Sequence, residues 1–139
     1  MRLFFIAIFI SLCVGCASQY GSTVKNNSDA NEIIAIDSLA KLAELYLPAK
    51  TTFSLAHPIS EKDIFAQTLV NGLRDRGYAV DEFKKGVPFS GVPLRFSLDE
   101  IRGEGLFRVS LLVDNKVITR AYRNDAGLIT QASAWAFKE

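Results

Sequence analysis

The chain carries few of the side chains that nucleophilic or metal chemistry requires. Its only histidine, His57, follows a predicted strand, where a surface or turn role fits better than catalysis. Asp99 and Glu100 could in principle act as acid and base, but adjacent strand residues point to opposite faces. One histidine and two cysteines supply no zinc cluster of the usual spacing. The sequence therefore predicts no catalytic residue, no metal site and no cofactor.

Both cysteines lie in the first sixteen residues, in the context of an export signal. Arg2 is followed by an apolar run over residues 3–14, and the run ends at Gly15-Cys16. A membrane-spanning helix needs about 20 apolar residues, so this run is too short to be one. The sequence Cys13-Val14-Gly15-Cys16 resembles the bacterial lipobox, with Cys13 where leucine is usual. We therefore predict a lipoprotein signal peptide over residues 1–15.

Cleavage before Cys16 would leave this cysteine as the lipidated first residue of the mature chain. More than one acyl chain is needed for stable anchoring. The bacterial lipoproteins that this chain resembles carry three acyl chains. Residue 17 is alanine and not the aspartate that resembles an inner-membrane retention signal. We therefore expect the outer membrane, with the protein lipid-anchored on the periplasmic face. The alternative is a signal cut elsewhere, which would leave Cys16 as a free thiol.

Size and charge exclude several classes of partner. Residues 16–139 make one domain's worth of chain. Without the signal, basic and acidic side chains balance, whereas nucleic-acid binders are usually basic on one face. Arg120 and Arg123, like Lys84 and Lys85, are interpreted as solvated charges at strand ends. We expect no direct nucleic-acid binding and no small-molecule substrate.

The stretch behind Cys16 is polar and rich in Gly, Ser and Asn, with no apolar period. Such a segment cannot bury enough surface to offset its ordering entropy. We therefore assign residues 16–30 to the lipidated cysteine and a flexible tether, and residues 31–139 to a single α+β periplasmic domain.

A first helix is predicted over residues 30–47. Asp29 and Glu32 have the spacing of a capping box, and apolar residues that include Ile33, Ile36 and Leu39 recur at helical intervals until Pro48.

A β-α-β unit is predicted next, over residues 51–83. Ser60 to Asp63 should cap its helix, and Gly77 should end it. The buried stripe of this helix should consist of Ile64, Phe65, Thr68, Leu69, Gly72 and Leu73. Short strands precede and follow this helix.

From residue 92 onward the period changes to that of strands. The alternating sets are Leu94/Phe96/Leu98, Phe107/Val109/Leu111/Val113, Val117/Thr119/Ala121 and Ile129/Gln131/Ser133/Trp135/Phe137. Short turns connect them, and Asp114-Asn115 fits a two-residue hairpin loop. We predict an antiparallel meander. The complete fold is then α+β, with two helices on one face of a mainly antiparallel sheet of about five to six strands.

Aromatic residues near the C-terminus are the candidate partner contacts. Trp135, Tyr122 and Phe137 could belong to the core, or to an exposed edge strand that another protein extends by strand addition. We name Trp135 and Tyr122 as possible partner contacts.

A set of segments, in this order along the chain, carries a family resemblance. They are Glu-Leu-Tyr-Leu-Pro-Ala (44–49), Phe-Ala-Gln-Thr-Leu-Val (65–70), Leu-Arg-Asp-Arg-Gly-Tyr-Ala-Val (73–80), Gly-Val-Pro-Leu-Arg-Phe-Ser-Leu-Asp (91–99), Leu-Phe-Arg-Val-Ser-Leu (106–111), Thr-Arg-Ala-Tyr (119–122) and Ala-Trp-Ala-Phe-Lys-Glu (134–139). Together with the short lipoprotein signal, they resemble the conjugal transfer protein TrbH family.

This resemblance implies an outer-membrane lipoprotein of a mating-pair formation apparatus, a type IV secretion machine that moves plasmid DNA between bacteria. It implies a non-catalytic assembly role, with ring-forming outer-membrane proteins of the channel as partners and the membrane reached through lipid on Cys16. The alternative is a ligand-binding envelope lipoprotein that recognises peptidoglycan or a small amphiphile.

Overall fold

Two helices and one open mixed sheet make up the fold, which is seen in a computed structural model that describes residues 20–139. The predicted α+β class is confirmed. The elements in chain order are β1 (Gly21–Ser22), α1 (Ser28–Leu45), a 3-10 turn (Pro48–Lys50), β2 (Thr52–Leu55), α2 (Ile64–Asp75), β3 (Ala79–Asp81), β4 (Val92–Ile101), β5 (Leu106–Val113), β6 (Lys116–Asp125), β7 (Leu128–Gln131) and β8 (Ala136–Lys138).

The main path of the sheet has the order β3-β2-β4-β5-β6-β7. β2 pairs with both β3 and β4 in parallel, and β4 to β7 pair antiparallel with their sequence neighbours. The predicted β-α-β unit and the meander are therefore confirmed. Two short strands complete the sheet, because β1 lies beside β4 next to the end of β2, and β8 lies beside β6 next to the end of β7.

The core lies between the helices and one face of the sheet. Leu94, Phe96 and Leu98 of β4 are fully buried, as are Val109 and Leu111 of β5, while the residues between them are not. This alternation matches the predicted pattern. Burying each such side chain contributes about 1.5–3 kcal/mol, so these central strands fix the register of the sheet.

Helix α2 has the caps that its sequence predicts, but Ile64 of its predicted buried stripe is exposed. The Asp63 carboxylate accepts a hydrogen bond from the Ala66 N–H at 2.9 Å, which caps the first turn. Gly77 follows the helix with a φ of 88°, the left-handed conformation that favours glycine. Gly72 allows close contact with α1, since a Cβ there would lie 2.4 Å from Leu39 Cδ2.

Helix α1 differs from its prediction in cap and in face. It begins at Ser28, two residues early, and the Asn27 side chain accepts from the Ala30 N–H at 3.0 Å, so the predicted capping box at Asp29 was wrong. Ile33 and Ile36 are exposed, while the buried side of the helix carries Asn31, Ile34, Ala35, Ser38, Leu39 and Leu42. Helix α1 carries apolar residues on all of its sides, so the spacing of these residues alone did not predict which face is buried.

The N-terminal residues of the described chain belong to the domain and not to a tether. β1 pairs with β4 in parallel, and Val24 is buried in the core. Residues 20–30, which the sequence pattern assigned to the tether, are therefore ordered against the sheet. Backbone pairing and buried polar contacts hold them, and neither leaves an apolar period in the sequence. Residues 16–19 lie outside the described part.

The last predicted strand, over residues 129–137, is interrupted. β7 ends at Gln131, residues 132–135 leave the ladder, and β8 resumes the pairing with β6. Ser133 Oγ takes over one ladder bond by accepting from the Ala121 N–H at 3.0 Å. The chain bends at Ser133, two residues before Trp135.

Candidate interaction site at the C-terminal edge

An ion pair joins α1 to β6 at one end of the sheet. Arg120 Nη1 donates to Asp37 Oδ2 at 2.9 Å, and both side chains are largely shielded from solvent. Arg120 pairs in register with the buried Val109, so it lies on the core face of β6. The prediction that Arg120 is a solvated charge was therefore wrong. Ile118 and Tyr122 are the buried residues of β6.

Tyr122 and Gln131 complete the network around Asp37. The Tyr122 hydroxyl donates to Asp37 Oδ2 at 2.5 Å, and Gln131 Oε1 accepts from Arg120 Nη2 at 2.7 Å. Burial, together with the hydrogen bond to the Asp37 carboxylate, raises the pKa of Tyr122 well above its ordinary value. The phenol therefore stays protonated as a donor at physiological pH.

Arg120 also positions the irregular segment between β7 and β8. Its Nε donates to the Ser133 carbonyl oxygen at 2.9 Å, and its guanidinium lies 5.3 Å from the centre of the Trp135 ring. A guanidinium over an indole face is a favourable cation–π arrangement. One arginine thus contacts both the helix and the segment that carries Trp135.

The structure separates the sequence-based contact candidates. Tyr122 is 1% exposed and belongs to the core, so its side chain has no surface to offer a partner. Trp135 is partly buried against the core, and Phe137 on β8 is 55% exposed. Cys16, the predicted lipidation residue, lies outside the described residues.

Helix α1 runs along the same edge as β7 and β8. Asp37 contacts Gln131, and the Lys41 ammonium, one turn later, lies 5.4 Å from the centre of the Phe137 ring. Within residues 20–139, no strand pairs with the outer side of β8. We call β7, residues 132–135, β8 and the adjoining side of α1 the C-terminal edge. Its exposed apolar side chains include Phe137 on β8 and Leu128 on β7.

His57 lies in the bend directly after β2, which agrees with the predicted turn position, but it is buried and not on the surface. Its ring packs edge-on against Phe96 with centroids 4.6 Å apart and stacks on Tyr20 at 5.2 Å. Nε2 accepts from the Phe96 N–H at 3.4 Å, and Nδ1 lies 3.0 Å from the Pro58 carbonyl oxygen. Burial lowers the pKa of His57. Both ring nitrogens are used in structural hydrogen bonds of the neutral ring.

The described residues hold no group of three or more His, Cys, Asp or Glu side chains arranged for a metal ion. Over the same part of the chain, no helix combines the length and apolar character that crossing a bilayer needs. Every buried side-chain nitrogen or oxygen of residues 20–139 has a hydrogen-bond partner.

The fold and site define a small α+β domain with two helices on one face of an open mixed sheet and a cross-linked C-terminal edge. The chain belongs to the conjugal transfer protein TrbH family, whose family model matches residues 17–139. It is therefore a component of a conjugal transfer system. No curated protein and no solved structure matches the chain.

Sequence reasoning did not single out Asp37 and Gln131. One signal was present, because Ile118, Arg120 and Tyr122 alternate along β6 with two large apolar residues around an arginine. An arginine at such a position requires a buried partner, and Asp37 is the acidic residue in the apolar middle of α1.

Proposed function

We propose that this protein is an outer-membrane lipoprotein and a non-catalytic assembly component of the conjugal transfer apparatus. Lipid on Cys16 would hold it at the periplasmic face of the membrane. The observation that carries this proposal is the family match, which begins at residue 17, directly behind the predicted lipidated cysteine. The family region thus coincides with the expected mature chain.

We further propose that the C-terminal edge contacts a ring-forming outer-membrane protein of the channel. An unpaired outer strand is a ready template for strand addition, and exposed aromatic side chains favour such an interface. Phe137 is exposed on β8, and Trp135 lies beside it on a segment fixed by Arg120. A preformed edge binds with less loss of conformational entropy than a mobile one.

The test is affinity purification from outer membranes solubilised in mild detergent. The affinity tag belongs in the exposed turn at residues 84–86, because a C-terminal tag would follow β8 directly. Channel proteins should copurify with the wild type and be reduced with Cys16→Ala. Cys13→Ala is the matched control, since this cysteine would be removed with the signal.

Two results would contradict the proposal. Purification of a lipidated protein without any channel component would favour the ligand-binding alternative. A mature chain whose mass includes no acyl groups would remove the anchor from the proposal, whichever partners copurify.

A further inference from the structure

We propose that the face of the domain around Tyr20 lies directly against the lipid leaflet, held there by a very short link to the anchor. This inference rests on the proposed lipidation of Cys16. It differs from a tether over residues 16–30, because residues 20–30 pack against the domain.

Residues 20–24, which we call the N-terminal strap, are fixed to the domain at several points. The Ser22 N–H donates to Asp63 Oδ2 at 2.8 Å, and the Thr23 N–H donates to the Leu98 carbonyl oxygen at 2.9 Å. The buried Asn31 amide donates to the Val24 carbonyl oxygen at 2.7 Å. The strap is thus attached both to the sheet and to both helices.

Tyr20 is the first residue that the structure describes, and it is packed in place. Its ring stacks on the buried His57, and the Arg95 guanidinium lies 5.8 Å from its centre. Four residue steps join Tyr20 to Cys16, and a fully extended chain spans at most about 3.6 Å per residue. The lipidated residue therefore lies within about 14 Å of Tyr20.

The opposite side of the sheet lies farther away than this link can reach. Four strand spacings, from β1 through β4, β5 and β6 to β7, separate the strap from the C-terminal edge. At about 4.8 Å per spacing, this distance is about 19 Å. The link therefore turns the strap toward the lipid and leaves the C-terminal edge free for protein partners.

The surface beside Tyr20 has the chemistry of a membrane interface. A concavity of about 540 Å³ lies between the strap and the start of α2, with Tyr20 39% and Ile64 40% exposed on it. Lys25 and Lys62 are exposed on the same concavity, while its carboxylate, Asp63, is engaged by two backbone N–H groups. Tyrosine and lysine are favoured at the level of lipid headgroups. The exposed Glu61 adjoins this surface and leaves it amphipathic and not strongly cationic.

The experiment uses the mature lipoprotein in phosphatidylcholine vesicles that contain nitroxide-labelled headgroups. A fluorophore is attached to Ser60→Cys on the concavity or to Leu128→Cys on β7, and acylated Cys16 does not react with the label. Headgroup quenching should remove most of the fluorescence at position 60 and little at position 128. A flexible insertion of Gly and Ser residues between Ala17 and Ser18 should make the fraction of fluorescence quenched at position 60 similar to that at position 128.

Equal quenching at positions 60 and 128 in the protein without the insertion would overturn the proposal. A difference that survives the insertion would overturn the role of the short link, since the surface would then bind lipid unaided. The mass of the purified chain separates these outcomes from failure of the proposed function. A chain without acyl groups refutes the anchor itself, while an acylated chain with equal quenching refutes only this inference.

Discussion

Asp37 of α1 and Arg120 of β6 are 83 positions apart in the chain and form an ion pair with 2.9 Å between Oδ2 and Nη1. The same carboxylate accepts the Tyr122 hydroxyl, and the same guanidinium packs against Trp135. One pair thus connects the buried side of the domain to the edge proposed for partner binding.

Replacing Asp37 with asparagine should destabilise the domain by about 1–3 kcal/mol, because Arg120 would remain largely buried without its counter-charge. Urea denaturation of the described domain measures this loss in the free energy of unfolding. Glu32→Gln, at an exposed site on the same helix, is the control and should change stability by less than about 0.5 kcal/mol. Equal effects of the two substitutions would refute the structural role of the pair.

The fold should lose stability as the pH falls below the ordinary pKa of histidine. Burial lowers the pKa of His57 in the folded state, so protonation favours the unfolded chain. The stability that the neutral His57 ring contributes is fully present above about pH 6.5. It is lost as the pH falls from there through the lowered pKa of the folded state. His57 is the only histidine. As the pH is lowered from 8 to 5, the free energy of unfolding should therefore fall more steeply for the wild type than for His57→Gln. Parallel curves would show that His57 does not titrate with folding.

The N-terminal strap should detach when Gly21 is replaced with alanine. A Cβ at this position would lie 2.7 Å from Asp63 Oδ2, and the φ of 87° disfavours any side chain, at a cost of about 1–2 kcal/mol. Hydrogen exchange at Ser22 and Thr23 should accelerate. Gly86→Ala has a similar positive φ and nothing within 4 Å of the added atom, so it should leave this exchange unchanged. Unaltered exchange in Gly21→Ala would contradict the docking of the strap.

Partner capture should depend on Phe137 while stability does not. Phe137→Lys places a charge on the exposed outer strand, where it should block strand addition and change the free energy of unfolding by less than about 0.5 kcal/mol. Copurification of channel proteins from solubilised outer membranes is the measurement. Phe89→Lys, at a second exposed phenylalanine outside the C-terminal edge, is the control and should leave capture unchanged. If both variants captured partners equally well, the C-terminal edge would not be the docking surface.

Local sequence was enough to predict the elements that are defined by caps, by tight turns or by regular alternation. Helix α2 begins after Asp63 and ends before Gly77, as predicted. The predicted two-residue loop at Asp114-Asn115 also forms, with Asp114 at a φ of 57°. Alternation in β4 and β5 predicted the buried face of the central strands. In each case the decisive interaction lies within a few residues or repeats with the period of the element.

Tertiary structure decided the features that depend on polar contacts between distant residues. Asp37 of α1 meets Arg120, the strap is held where Ser22 meets Asp63, and Arg120 meets Ser133 at the break in the last strand. Such contacts leave no periodic trace in a single sequence, because each partner looks like an ordinary solvated group until the fold removes it from water. The sequence by itself thus determined the α+β framework and pointed to Cys16 as the anchor. Only the three-dimensional arrangement decided which edge remains open and that residues 21–22 already belong to the sheet.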